Sequence, residues 1–157
     1  MSYDFNADDV FEMAEQIERN GAVFYRKAAA DVSDPDGVNF LLDLAAMEDN
    51  HEKTFANMRR ELSETEKVST AFDPDNEAAA YLKALADTRI FFEKEIDTTS
   101  MHAILKAAIL AEKDSIVFYL GMKDLVPEAL GQSRLDDIIK EEMSHIKLLS
   151  RRLVATK

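Results

Sequence analysis

Apolar residues recur along this chain at helical spacing, in four long stretches separated by polar breaks. The first predicted helix starts near Asn6 to Asp8 and runs to about Ala30. Its stripe reads Val10, Ala14, Ile17, Gly21, Phe24 and Ala28, and Asn6, Asp8 and Asp9 supply cap and first-turn chemistry. Ser33 to Gly37 reads as a turn. A second helix is expected from about Val38 to Leu62, with Leu41, Leu44, Ala45, Phe55, Met58 and Leu62 on one face. So short a connection makes the two helices antiparallel neighbours.

The stretch from Ser63 to Thr99 is polar, holds Asp73-Pro74-Asp75, and has room for one short helix at about Ala78 to Asp87. It is long for a loop, and reads as a crossover that starts the third helix at the same end as the second. That third helix begins near Ser100, capped by Thr98, Thr99 or Ser100, and ends before Pro127; its stripe is Leu105, Ala108, Ile109, Ile116 and Leu120. The fourth runs from about Gln132 to Val154 over Leu135, Ile138, Ile139, Leu148 and Leu149. Lys147, Arg151 and Arg152 suit the negative end of its dipole. The expected fold is an all-α four-helix bundle of two antiparallel pairs, one domain spanning residues 1–157.

Composition sharpens this picture. Only 4 Gly and 3 Pro occur in 157 residues, which favours helix throughout. A net charge of −12 argues against nucleic acid or an anionic membrane as partner, and attracts cations. Without cysteine there is no thiolate metal site and no thiol catalysis. No apolar run approaches the ~18 residues of a membrane span, and the acidic N-terminus lacks a leader's apolar core. A cytoplasmic protein is the expectation.

The apolar stripes are interrupted by charge, and the interruptions repeat. Glu18 is followed thirty residues later by Glu48, which opens a Glu-x-x-His step to His51. Adding 94 to 18, 48 and 51 gives Glu112, Glu142 and His145, and Phe24-Tyr25 maps in the same way onto Phe118-Tyr119. Chance would produce the paired ligand pattern on the order of a few times in ten thousand, so the repeat carries information. Burying one uncompensated carboxylate costs several kcal/mol, and four in one small core call for cations between them. Two divalent ions would balance four carboxylates, with neutral imidazoles completing the ligand set. Oxygen ligands with one imidazole per ion suit iron or manganese. A bundle built from a glutamate on each of two helices, and Glu-x-x-His on each of the others, holds two such ions.

In IERNGAVFYRKAA, MEDNHEKTF, AEKDSIVFY and EEMSHIKLL the chain resembles the ferritin-like superfamily, most closely its rubrerythrin-like branch. The resemblance implies two iron ions, with manganese or a mixed pair possible. Glu48 and Glu142 would bridge them, Glu18 and Glu112 would be terminal, and His51 and His145 would each take one ion. Tyr25 and Tyr119, seven residues past a glutamate and so on its face, would orient it by hydrogen bonding. The implied activity is an oxidoreductase reducing hydrogen peroxide or dioxygen, with an external electron donor protein; separately, the acidic surface and leftover apolar residues lead to the expectation of a homodimer. Two departures stand out: the sequence carries no cysteine-bound rubredoxin iron, and Ser115 holds a position where the family often has a further glutamate. A ferroxidase serving iron storage, and a bundle using metal only to fold, are the competing readings. Glu15, Glu52, Glu141 and Asp114 are expected on solvated faces or in helix ion pairs, and His102 in solvent.

Overall fold

The computed structural model describes residues 7–62, 97–123 and 128–156. They form four helices: α1 (Ala7–Asp31), α2 (Pro35–Arg60), α3 (Met101–Met122) and α4 (Glu128–Ala155). The predicted crossover and its short helix fall almost wholly outside the described residues.

The Ser33–Gly37 stretch is not all turn. Asp34, in extended backbone, caps α2 by accepting from the Gly37 amide at 3.1 Å, and Pro35 opens the helix with its fixed φ and missing N–H. The helix therefore starts three residues before Val38, and it ends at Arg60, with Leu62 buried just beyond. Ser100 is the cap of α3, accepting from the Ala103 amide at 3.2 Å. Helix α4 starts one turn earlier than the apolar pattern suggested.

Cross-helix pairs fix the directions. Arg59, near the end of α2, bonds Asp8 at 2.8 Å and Glu15 at 2.9 Å near the start of α1. Arg19 meets Glu52 at 2.7 Å in mid-helix, and Arg26 pairs with Asp49. The register of these pairs makes α1 and α2 antiparallel, and Lys123 to Asp136 at 2.5 Å joins α3 to α4 at one end of the second pair. The starts of α2 and α3 share one end of the bundle. A Cβ on Gly37 would come 2.7 Å from the Met101 methyl, and Thr98, just before α3, donates to Asp31 at 2.6 Å. That is the end-to-end arrangement expected of the crossover.

Apolar faces of all four helices close on one core. Phe55 lies between the two halves, 6.5 Å from Phe11 and 5.1 Å from Tyr119 between ring centroids. Burial of such rings supplies roughly 1.5–3 kcal/mol each. The repeated aromatic pair repeats its geometry too: Phe24–Tyr25 and Phe118–Tyr119 are both edge-on, at 5.4 and 5.9 Å. Two stripe residues are corrected: Leu120 is 51% exposed and Leu148 38%. Phe11, Ile104 and Phe118 fill the core instead, the first two one position off the predicted seam and the third between Ile116 and Leu120.

Candidate metal centre

Each helix contributes its charged residue from a stripe that is otherwise apolar. Glu18 comes from α1, Glu48 and His51 from α2, Glu112 from α3, and Glu142 and His145 from α4. Glu-x-x-His works here because residues three apart share a helix face. All six side chains are buried at 0–3% exposure.

The six form two interlocking groups. Ligand atoms of Glu18, Glu48, His51 and Glu142 lie within 4.8 Å of one another, as do those of Glu48, Glu112, Glu142 and His145. Glu48 and Glu142 belong to both groups. The two imidazoles face each other across the centre at 5.5 Å, with planes 15° apart. His51 Nδ1 is 2.8 Å from Glu142 Oε1 and 3.5 Å from Glu18 Oε2. His145 Nδ1 is 3.2 Å from Glu142 Oε2, 3.5 Å from Glu112 Oε1 and 3.6 Å from Glu48 Oε1.

Several of these atoms lack any hydrogen-bond partner: Glu18 Oε2, both oxygens of Glu48, Glu112 Oε2, Glu142 Oε2 and His145 Nδ1. A buried carboxylate oxygen without a donor is costly, and so many converging on one point would strongly destabilise a protein core. They fit a pair of divalent cations, which would give every orphaned oxygen a positive partner.

The electrostatics follow from the crowding. Burial drives Glu48 well above the ordinary carboxylate range, and the charges of Glu18, Glu142 and Glu112 push the same way. Burial and the charges of Glu112 and Glu18 do the same to Glu142. Glu112 goes down: burial opposes its charge, but the closeness of Glu142 and His145, the His145 charge and the Tyr25 hydrogen bond prevail. Burial also disfavours charged imidazoles, yet Glu18 and Glu141 raise His51 to about 9, and Glu112 and Glu142 raise His145 to about 10. The same crowding that raises these groups makes protons and cations competitors for the cluster.

Both tyrosines are wholly buried and bond a glutamate, but not the one on their own helix. Tyr25 donates to Glu112 Oε1 at 2.7 Å, and Tyr119 donates to Glu18. Shared helix face predicted the wrong partner, because each phenol extends across the bundle into the opposite half. Glu141 is the other correction. Its carboxylate meets Nε2 of His51 while 61% of its side chain stays exposed, so it touches the centre from outside. An acidic residue at the solvated edge of α4 gave no periodic signal for this. Glu15 and Glu52 make the expected ion pairs, with Arg59 and Arg19. His102 and Asp114 are exposed. Ser115 is buried beside Glu112, but its hydroxyl donates to the Ala111 carbonyl at 3.0 Å, along its own helix. Among the described residues no helix is long and apolar enough to cross a membrane.

The family model described as rubrerythrin matches residues 9–153. Among solved structures, the chain is similar to a protein from Thermotoga maritima described as a ferritin-like diiron-carboxylate protein. The TM-score is 0.73 and the identity 24%, with all of both chains covered. That likeness is one of fold: an all-α, ferritin-like four-helix bundle. No curated protein matches the sequence.

Proposed function

Because the chain belongs to the rubrerythrin family, we propose that it is a di-iron, or di-manganese, oxidoreductase that reduces hydrogen peroxide or dioxygen with electrons from an external donor. The observation that carries this reading is the pair of interlocking four-residue groups sharing Glu48 and Glu142. Glu48 and Glu142 would hold both ions, Glu18 and His51 one, and Glu112 and His145 the other. Bound iron would supply the two electrons that convert hydrogen peroxide and two protons to two waters.

The chain's own residues do the rest. Tyr25 and Tyr119 fix one oxygen of Glu112 and of Glu18, leaving the other oxygen of each, Glu112 Oε2 and Glu18 Oε2, without a hydrogen-bond partner. Leu44, Ala108 and Ile138, each one turn before a glutamate of the cluster, and Phe55, one turn past His51, are buried and apolar, a lining that would keep water from the carboxylates. Burial and crowding favour protons on Glu48 and Glu142, and neighbouring carboxylates favour protons on the imidazoles, so these residues would have to give up protons to hold cations, and uptake of metal would release acid.

Anaerobic titration of the metal-free protein with ferrous iron, followed by peroxide or air, tests the proposal. Two tight irons per chain are expected, then a diferric absorption band that forms faster with the preferred oxidant, and repeated turnover when a reductant is supplied. Saturation at zero or one iron, unchanged by Glu48→Ala and Glu142→Ala, would overturn it. Two irons without turnover would leave metal binding standing and remove the enzymatic part.

A further inference from the structure

The two halves of the centre repeat in sequence, but not in what supports their histidines. Each Glu-x-x-His step is preceded by one residue: Met47 before Glu48 in α2, and Glu141 before Glu142 in α4. Glu141 reaches over to the other half and accepts from Nε2 of His51. With Nδ1 of His51 2.8 Å from Glu142 Oε1, that imidazole is gripped at both nitrogens. The position matching Glu141 in the other half is Met47, 37% exposed, whose thioether is at best a weak acceptor. Among the described residues no carboxylate, carbonyl or hydroxyl is bonded to Nε2 of His145. Its Nδ1 has only carboxylates at 3.2 to 3.6 Å, none of them a hydrogen-bond partner.

A metal-binding imidazole needs its lone pair on the inward nitrogen and its proton on the outward one. A carboxylate on the outward N–H fixes that tautomer, holds the ring plane and makes the inward nitrogen a stronger donor. Among the described residues, His51 has this support and His145 does not. We propose that Glu141 is a positioning residue that makes the two halves unequal: the Glu18–His51 half takes its ion first and holds it more tightly, and the Glu112–His145 half loads second. This rests on the reading of the six residues as a two-ion site. The inequality comes from one outer residue, since the four carboxylates and two imidazoles are themselves matched across the repeat.

Cobalt(II) is the probe, because it reports ligand geometry by visible absorption and undergoes no redox step in air-free buffer. The measurements are a calorimetric and absorption titration of the metal-free chain, with proton NMR of the contact-shifted imidazole N–H at one ion per chain. For the unaltered protein we expect two steps separated by at least about tenfold, and one slowly exchanging imidazole N–H at the first step. Glu141→Met should weaken the tighter step by about 10–100-fold and speed exchange of that N–H, with little change at the weaker step. Glu141→Gln, which keeps an acceptor but loses the charge, should fall between. Met47→Glu should tighten the weaker step and bring a second N–H into slow exchange. Because most of Glu141 is exposed, these variants are expected to fold, which helix content and melting verify. Two equal steps in the unaltered protein, or equal weakening of both by Glu141→Met, would overturn the proposal while leaving the two-ion reading intact. A chain that takes up no cobalt would overturn both.

Discussion

Tyr25 on α1 donates its phenolic proton to Glu112 on α3 across 2.7 Å. The repeat turns this into a pair, since Tyr119 on α3 donates back to Glu18 on α1. Each half therefore supplies the group that holds the other half's glutamate. Neither helical pair can complete its own share of the centre, which ties folding of the bundle to assembly of the site.

Removing one of these braces should be visible without any metal. Tyr25→Phe keeps the ring in the core and deletes only the donor to a charged Glu112. A hydrogen bond to a charged group contributes about 1.5–3 kcal/mol, so the metal-free melting temperature should fall by several degrees. Loss of carboxylate orientation should also weaken one ion's binding by about 10–100-fold. Thermal melts and a cobalt titration check both, and an unchanged melt with unchanged affinity would show the bond to be idle.

The pH dependence of the metal-free protein follows from the same crowding. His51 at about 9 and His145 at about 10 lie above the ordinary histidine value, through Glu18 and Glu141 for one and Glu112 and Glu142 for the other. Groups raised in the folded state contribute stability that is fully present below the unfolded value, near pH 6.5. It is lost as pH rises through the folded values. Glu48 and Glu142, also raised, act in the same direction from a lower starting pH, while Glu112, lowered, loses its contribution only on the acid side. Metal-free melting temperatures should therefore decline from pH 6.5 to 10, by a stability change on the order of a few kcal/mol. Loaded protein should reverse the trend between pH 6 and 8, because cations replace the protons. Scanning calorimetry of both forms decides it, and a flat metal-free profile would contradict the proton-holding cluster.

Much of this was legible in the sequence, for identifiable reasons. The helices came from spacing of apolar residues, and the six converging side chains came from charge placed where the period demanded a hydrophobe. What stayed hidden depends on reach across the bundle. Tyr25 is on the same face as Glu18, yet a phenol is long enough to bond Glu112 instead. Glu141 is on the solvated side of α4 by periodicity, and only the closeness of α2 brings it to His51. The Ser33–Gly37 stretch is ambiguous in sequence because Pro-Asp-Gly is both a turn signature and a capped helix start; the Asp34 side chain on the Gly37 amide decides between them. Leu120 and Leu148 show that an apolar residue one position off the seam can face outward.

The Asp34 cap offers a test of stability separated from the centre. Asp34→Ala removes the acceptor for the Gly37 amide and should cost about 1 kcal/mol, or roughly 2–4 °C of melting temperature in a chain of this size. The cap sits at the end of the bundle, so the number of ions bound per chain should not change. A lost ion would mean that the start of α2 is coupled to Glu48 and His51 more tightly than its hydrogen bonding indicates.

Glu48 should show stability and metal binding pulling in opposite directions. Both of its oxygens are buried without a hydrogen-bond partner, and burial with three neighbouring carboxylates raises it well above the ordinary range. In metal-free protein it destabilises the fold as soon as it is asked to ionise. Glu48→Gln preserves size and shape while abolishing that ionisation, so the metal-free melting temperature at pH 8 should rise. In the presence of metal the sign should invert. A ligand present at a thousand times its dissociation constant stabilises the folded state by about 4 kcal/mol, and the glutamine variant, lacking an oxygen anion common to both groups, should forfeit most of that gain. Melts of the two proteins with and without added manganese measure all four quantities. A residue retained at a cost to the metal-free fold, and recovered only when cations enter, is what distinguishes a metal centre from a polar network kept for packing. A glutamine variant that is less stable without metal, and equally stabilised with it, would place Glu48 in the second class.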